Sequence, residues 1–224
     1  MSPARSPLTS ERVLDAALTL ADSIGLEAFT IRRLAAALDV KPMTIYHYVP
    51  SKDAILHGMV ERVFADIDLP PDHLPWVEAI RVRCISARHA LNQHPWAAPL
   101  MESRTSPGPI SLHHHEAVLA CLRRGGLSWQ LTAHAYAILD SYIFGFAFEE
   151  ANLPATGGDA MIELAQEITA AFDSAEYPTL TAFTTEHVLT PGYSFGNSFE
   201  YGLDLIIDGL QRAALSEAST KPVS

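Results

Sequence analysis

Hydrophobic positions recur at helical spacing along almost the whole chain. In residues 10–24 the apolar side chains fall on one face, as expected for an amphipathic helix. Thr9 or Ser10 can cap the start of this helix, and Gly25 can end it. The apolar face consists of Val13, Ala17, Leu20, Ala21 and Ile24.

Three further helices are predicted next. Thr30 can cap a second helix, and Asp39-Val40 makes a turn after it. Pro42 suits the first turn of a third helix, which runs to about Tyr48, and Ser51 can cap a fourth. Their inward faces are Ile31, Leu34, Ala35 and Leu38 in the second helix and Ile55, Met59, Val63 and Ile67 in the fourth.

A proline-rich break at residues 69–72 predicts a domain boundary. We therefore expect an all-α protein with a three-helix head at residues 1–52, a connecting helix at 52–68 and a helical domain at 69–224. Residues 174–194 look irregular, and the tail from Ser216 should be frayed. The further predicted helices span about 75–93, a short segment from 95, 110–124, 128–151, 159–173 and 195–215.

Composition supports a folded protein that is not embedded in a membrane. Hydrophobic residues make up 48% of the chain, enough for a core, and no uncharged apolar run is long enough to span a bilayer. The first residues lack the apolar segment of a signal peptide. Cys84 and Cys121 lie far apart without a metal-binding or disulfide pattern, which suits a reducing compartment, so we expect a cytoplasmic location.

Charge is distributed unevenly along the chain. The whole sequence has a net charge of −11, but residues 1–52 contain six Lys/Arg against five Asp/Glu and have a net charge of +1. Residues 53–224 contain nine against twenty-one and carry −12. An acidic body repels DNA, so any contact with nucleic acid is expected through the N-terminal head.

Residues 29–52 have the layout of a helix-turn-helix DNA reader, because two short helices flank a tight turn. Lys41 and Lys52 can hold phosphates. Thr30, Arg32 and Arg33, at the start of the preceding helix, can clamp another. Ile45 should turn inward. An ordinary helical corner with half-buried tyrosines would show the same spacing, and short helix-turn-helix matches are common.

The same region resembles the head of the tetracycline-repressor (TetR) family of bacterial regulators. The resemblance covers Ala16-Ala17, Gly25-Leu26, residues 30–35, Val40, Thr44-Ile45-Tyr46 and residues 48–53. It departs at Asp39, where the family usually has a turn glycine, and at Lys41, where a capping Ser or Thr is common. The DNA contacts that the resemblance implies are Thr30, Arg32, Pro42, Met43, Thr44, Tyr46, His47, Tyr48 and Lys52.

A weaker resemblance to the regulatory domain of tetracycline repressors covers Trp76, Arg88, Ala90-Leu91, His94 and residues 199–210. It implies a repressor that binds a palindromic operator as a homodimer and is released by a small-molecule inducer. Tetracycline repressors hold drug and magnesium with an Asn, a Phe and His residues. The matching positions here are Arg83, Ala87, Met101 and Asp68, so magnesium–tetracycline is not the expected inducer. Arg83, if it points inward, favours an acidic ligand.

The body offers a candidate ligand pocket and a candidate dimer face. Apolar and aromatic groups with a few polar ones are typical of small-molecule sites, although each residue alone also fits an ordinary core. Gly202 and Gly209 lie seven apart in the closing helix, which suits either close approach by a partner helix or closure of the chain's own core. The pocket candidates are Arg83, Ala87, Trp96, Leu100, Met101, His115, Glu116, Leu119, Ile138, Tyr142 and Phe146. The dimer candidates are Ile138, Tyr142, Phe199, Gly202, Ile206, Gly209 and Ala213.

No pattern of catalytic or metal-binding residues stands out. His113-His114-His115 with Glu116 fans around a helix, so only His113 and Glu116 share a face, and we interpret the cluster as solvated histidines rather than a metal site. Phosphate-binding glycine loops, nucleophile elbows and HExxH motifs are absent from the sequence. There are two alternatives to a transcriptional repressor. One is an enzyme that uses the helical cavity, and the other is a protein-binding module with a degenerate head. Substrate turnover or the absence of specific DNA binding would distinguish them.

Overall fold

The structure is a computed structural model that describes residues 7–103 and 106–220. In this part of the chain helices dominate and no strand is present; Gly157 and Ser194 form an isolated bridge. None of its helices is long and apolar enough to cross a membrane. The helices are α1 Ser10–Ile24, α2 Ile31–Ala37, α3 Pro42–Ile45, α4 Lys52–Ala65, α5 Trp76–Gln93, α6 Ala97–Glu102, α7 Pro109–Arg124, α8 Trp129–Asn152, α9 Gly158–Ala170, α10 Pro178–Phe183 and α11 Asn197–Thr220.

Local capping fixes the starts of the N-terminal helices. The side chain of Thr9 accepts from the Arg12 amide, that of Thr30 from the Arg33 amide and that of Ser51 from the Ala54 amide. Each hydroxyl satisfies an amide that has no partner within its helix. These contacts confirm that short-range sequence signals set the boundaries of α1, α2 and α4.

The turn between α2 and α3 contains the left-handed residue Asp39, with φ of 53°. A side chain of any kind is disfavoured there, but Asp tolerates the conformation better than most residues. The Val40 amide donates to the Ala35 carbonyl at 2.9 Å and closes the turn. The substitution for the family's glycine therefore preserves the geometry of the turn.

Helix α4 is the common support of the first compact unit, residues 1–136. It packs against α1, α6 and α7, and Ile55, Met59 and Val63 are fully buried. Gly58 allows Leu14 of α1 to approach closely, since a Cβ there would overlap the leucine side chain. A single helix thus contacts both the head and the helices that follow it.

The second compact unit, residues 137–224, has an aromatic core. The Tyr142 ring stacks on Phe199 at 5.3 Å between centroids, and Phe146 stacks on Phe195 at 4.7 Å. The Tyr142 hydroxyl donates to the Phe199 carbonyl at 3.0 Å. It occupies the space that a Cβ on Gly202 would need, so this glycine is required by the chain's own core.

Several predicted boundaries were wrong. Residues 174–194 are not irregular throughout, because they contain α10 and a π-helical turn at Thr184–Val188. Helix α11 continues to Thr220, so residues from Ser216 onward are helical up to that point; residues 221–224 lie outside the described part of the chain. The reader helix α3 ends at Ile45 rather than near Tyr48, and its backbone continues as turns.

Candidate nucleic-acid interface and effector site

Helix α3 presents an exposed face above one buried anchor. Ile45 has no exposed surface, whereas Met43 is 70% exposed. Tyr46 and Tyr48 follow α3 in the turn and are also exposed, as is His47. Pro42 occupies the first turn, and Lys41 stands at the N-cap without a side-chain cap bond. The inward turn of Ile45 and the outward display of its neighbours match the prediction.

The residues at the start of α2 are exposed beside α3. Thr30 caps α2, so its hydroxyl already accepts from the Arg33 amide. The Arg33 guanidinium donates to the Ala28 carbonyl at 3.0 Å, whereas the Arg32 side chain is exposed. Amides at a helix N-terminus with arginines nearby suit an anion such as a phosphate.

Lys52 has a structural contact that the sequence did not reveal. Its ammonium group donates to the Phe29 carbonyl at 3.3 Å and lies 5.8 Å from the centre of the Phe29 ring. The head loop before α2 is thereby attached to the start of α4. Lys52 therefore has a role in holding the head together in addition to any contact with DNA.

A buried carboxylate joins α4 to α7. Glu61 is only 8% exposed, and its oxygens accept from the amides of Ile110 at 2.8 Å and Ser111 at 3.2 Å. A carboxylate at a helix N-terminus binds amides without helical partners and interacts favourably with the helix dipole. Gly108 makes room for it, since a Cβ there would collide with the Glu61 carboxyl group.

His114 lies in the same buried region of the first unit. It is 4% exposed and contacts Phe64, with 5.6 Å between ring centroids. Its Nδ1 atom has no hydrogen-bond partner in the described part of the chain. Burial, and after it the positive charge of Arg83, lowers the His114 pKa from 6.5 to about 4, although the negative charge of Glu61 opposes the shift. The imidazole is therefore neutral near pH 7.

The predicted pocket residues of the first unit divide into buried and exposed groups. Arg83 is 3% exposed, which confirms that it points inward, and Ala87 and Met101 are also buried. Leu100, His115 and Leu119 are half-buried. Glu116 is exposed, so it is not part of a buried pocket. The indole of Trp96 is buried, but its N–H donates to Asp22, which gives it a structural role.

The histidine cluster differs from the interpretation as solvated side chains. His114 is buried and the Nδ1 of His115 is hydrogen-bonded to the Tyr136 hydroxyl, whereas His113 is exposed. Within residues 7–103 and 106–220, no group of three or more His, Cys, Asp or Glu side chains is arranged to hold a metal ion. His114 is the residue that sequence reasoning missed, because three consecutive histidines do not reveal which one faces inward.

The predicted pocket and dimer residues of the second unit also divide into buried and exposed groups. Phe199 has no exposed surface and so offers none to a partner, and Phe146 and Tyr142 pack against it. Ile138 is 47% exposed, which places it on the surface of this unit. Gly209 has open space where a Cβ would stand, unlike Gly202. Ile206, Gly209 and Ala213 are half-buried along one side of α11.

Two family models together match most of the chain. The model described as "Tetracyclin repressor-like, C-terminal domain" matches residues 69–214, and the model described as "Bacterial regulatory proteins, tetR family" matches residues 13–59. The chain belongs to the tetR family. It is therefore a DNA-binding transcriptional regulator of the repressor type, not an enzyme, and it shares the family's homodimeric organisation and response to small molecules.

Known relatives cover most of this tetR-family regulator. The HTH-type transcriptional repressor DrrR1 of Streptomyces coeruleorubidus is 30% identical over 224 residues, covering 93% of this chain and 80% of that protein. The class E tetracycline repressor of Escherichia coli is 32% identical over 146 residues, 64% of this chain and 69% of that repressor. The structure of ActR from Streptomyces coelicolor in complex with actinorhodin has a TM-score of 0.73 and 26% identity, covering 93% of this chain and 99% of that chain.

Acidification is expected to destabilise this tetR-family protein through His114. The unfolded chain binds a proton at this residue near pH 6.5 and the folded chain only near pH 4, so the unfolded state binds more protons between these values. The free energy of unfolding therefore falls as the pH drops from 6.5 towards 4. The shift corresponds to at most about 3 kcal/mol.

The variant His114→Gln tests this expectation because Gln does not titrate. Urea unfolding at fixed protomer concentration, at about pH 7 and about pH 5, gives the free energies to compare. The wild type should lose more stability on acidification than the variant. An equal loss in both proteins would contradict the assignment of this pH dependence to His114.

Proposed function

We propose that this regulator binds a palindromic operator as a homodimer in the cytoplasm, with α3 of each subunit in the major groove. The observation that carries this proposal is the exposed face of α3 held by the fully buried Ile45. A groove reader needs its base-contacting side chains held on a rigid support. The proposed DNA contacts are Thr30, Arg32, Arg33, Lys41, Pro42, Met43, Thr44, Tyr46, His47, Tyr48 and Lys52.

The proposed contacts fall into two chemical groups. The cationic and hydroxyl groups at the start of α2 and at Lys41 suit phosphate oxygens, which fix position without reading sequence. Met43, Thr44 and Tyr46 supply methyl, hydroxyl and aromatic groups for base edges. The charge of −12 on residues 53–224 opposes approach by any other part of the chain.

Replacing Lys41 with Ala is expected to weaken operator binding and reduce its salt dependence. Each lost phosphate contact removes about 0.9 from the slope of log K against log salt per subunit. Binding is measured by fluorescence anisotropy over a salt series, on an operator selected from random DNA by the wild-type protein. Lys41→Arg keeps the charge and is the matched control, with an unchanged slope. Equal slopes for Lys41→Ala and wild type would exclude Lys41 as a phosphate contact.

We further propose that the effector is a small organic molecule with an acidic group, held near Arg83 and His114. A guanidinium beside a neutral imidazole favours a carboxylate or phenolate over a neutral group. ActR was solved in complex with actinorhodin, which supports an organic molecule as the effector of this fold. Arg83 and Met101 stand where the tetracycline repressors' magnesium and drug ligands are expected, so a magnesium–tetracycline complex is disfavoured.

The effector proposal is tested with pairs of aromatic carboxylic acids and their methyl esters. An acid that binds should raise the melting temperature and release the operator, whereas its ester should do neither. Arg83→Met should abolish the effect of the acid, and Arg83→Lys, which keeps the charge, should retain part of it. Release by magnesium–tetracycline, or equal responses to acid and ester, would contradict the proposed chemistry.

We propose that the dimer forms through the surfaces of α8 and α11 within the second unit. An open groove of about 470 Å³ there is lined by Ala137, Ile138, Ser141, Tyr142 and Ile206. Apolar exposure continues on the same unit at Phe148 and Leu205, which are 54% and 56% exposed. Pairing two helices from each subunit would cover this apolar surface in a four-helix bundle.

Gly209→Leu is expected to produce a folded monomer. A Cβ at this position meets no atom of the single chain, and replacing Gly inside a helix gains up to about 1 kcal/mol, so we expect the subunit to remain stable. The same side chain would block close approach by a partner helix. Light scattering after size exclusion measures the mass. Gln211→Leu places the same side chain at an exposed position of α11 and should stay dimeric; a dimeric Gly209→Leu would refute the interface.

A further inference from the structure

A polar junction ties the first helix of the head to the corner between α5 and α6. The Asp22 carboxylate of α1 is hydrogen-bonded through one oxygen to two groups of that corner. His94 Nδ1 lies 2.7 Å from this oxygen, and the Trp96 indole N–H donates to it at the same distance. His94 and Trp96 are 6% and 8% exposed, whereas Asp22 lies at the surface, so both contacts are partly buried from the side of the corner.

Each partner is fixed by its place in the chain. His94 is the C-cap of α5, where its amide donates to the Ala90 carbonyl, and Trp96 is the N-cap of α6. An ionised carboxylate only accepts hydrogen bonds, so Nδ1 carries the proton in this contact. His94 Nε2 also lies 3.7 Å from the carboxylate of Asp66, the C-cap of α4. The corner is therefore hydrogen-bonded to α1 and lies close to the end of α4.

We propose that Asp22 is a positioning residue for operator recognition. Through His94 and Trp96 it fixes the orientation of the head, and so the separation at which the two heads of a dimer meet DNA. The junction joins residues 13–59, which match the head model of the family, to residues 69–214, which match the C-terminal model. A head held by α4 alone can pivot about one helix, whereas a second attachment through α1 removes that freedom.

The expected signature is a change in tolerance for half-site spacing. Dimeric readers bind half-sites about one helical turn apart, so a head of fixed orientation penalises an inserted or deleted base pair. Loss of Asp22 should weaken binding to the selected operator and let the heads adapt to altered spacing. The ratio of affinities for native and altered spacing should fall about tenfold, the effect of one charge-assisted hydrogen bond.

The test compares variants on operators that differ by one base pair between half-sites. Asp22→Ala removes the acceptor, whereas Asp22→Asn keeps a neutral oxygen that can accept from both donors and should retain most of the wild-type ratio. Trp96→Phe removes one donor while keeping an aromatic ring, and should reduce the ratio by a smaller factor. Glu27→Ala removes the same charge from another exposed position of the head and is the matched control, with an unchanged ratio.

A measurement without DNA separates this inference from operator binding. A spin label at Ala36→Cys, an exposed position on α2, reports the distance between the two heads of a dimer, because Cys84 and Cys121 are buried. The distance distribution should broaden in Asp22→Ala and Trp96→Phe and stay narrow in Asp22→Asn and Glu27→Ala. An unchanged distribution in Asp22→Ala, or equal losses of affinity at every spacing, would overturn the proposal and leave Asp22 a purely structural residue.

Discussion

The attachment of α4 to α7 through a buried carboxylate is the constraint on which the first unit depends. Burying the Glu61 carboxylate costs desolvation free energy. Hydrogen bonds from two amides at the start of α7, which have no partners within their helix, offset this cost. Gly108 leaves space for the carboxyl group, and Phe64 extends the contact to His114. Since α4 also packs on α1, α7 and the head contact the same helix. The DNA-reading surface and the buried polar region therefore share one helix.

The fold was largely predictable from the sequence where short-range signals dominate. Thr9, Thr30 and Ser51 cap helices through bonds to residues three positions ahead, so their effect can be inferred without the rest of the chain. Helix α10 was not predictable in the same way. It has no buried residue in its own unit, and an apolar pattern that faces solvent does not distinguish helix from loop.

The candidate sites were predictable as regions but only partly as residues. Ile45 turns inward as predicted, and Arg83, whose direction the sequence left open, is also buried. The predicted role of Trp96 in a pocket overlooked its bond to Asp22, which is 74 positions away and leaves no trace in local spacing. Likewise, the burial of His114 instead of His115 depends on the rotation of α7 against α4. Long-range pairings of this kind require the three-dimensional structure.

The short length of α3 has a thermal consequence. Four helical residues cannot hold a helical conformation on their own, because forming the first turn costs more backbone entropy than its few bonds return. The order of α3 comes instead from the head core around Ile45, the single buried residue of this helix. Local opening of such a segment costs less free energy than global unfolding. We therefore expect the affinity for DNA to fall on warming before the rest of the protein unfolds, so that heat alone would relieve repression.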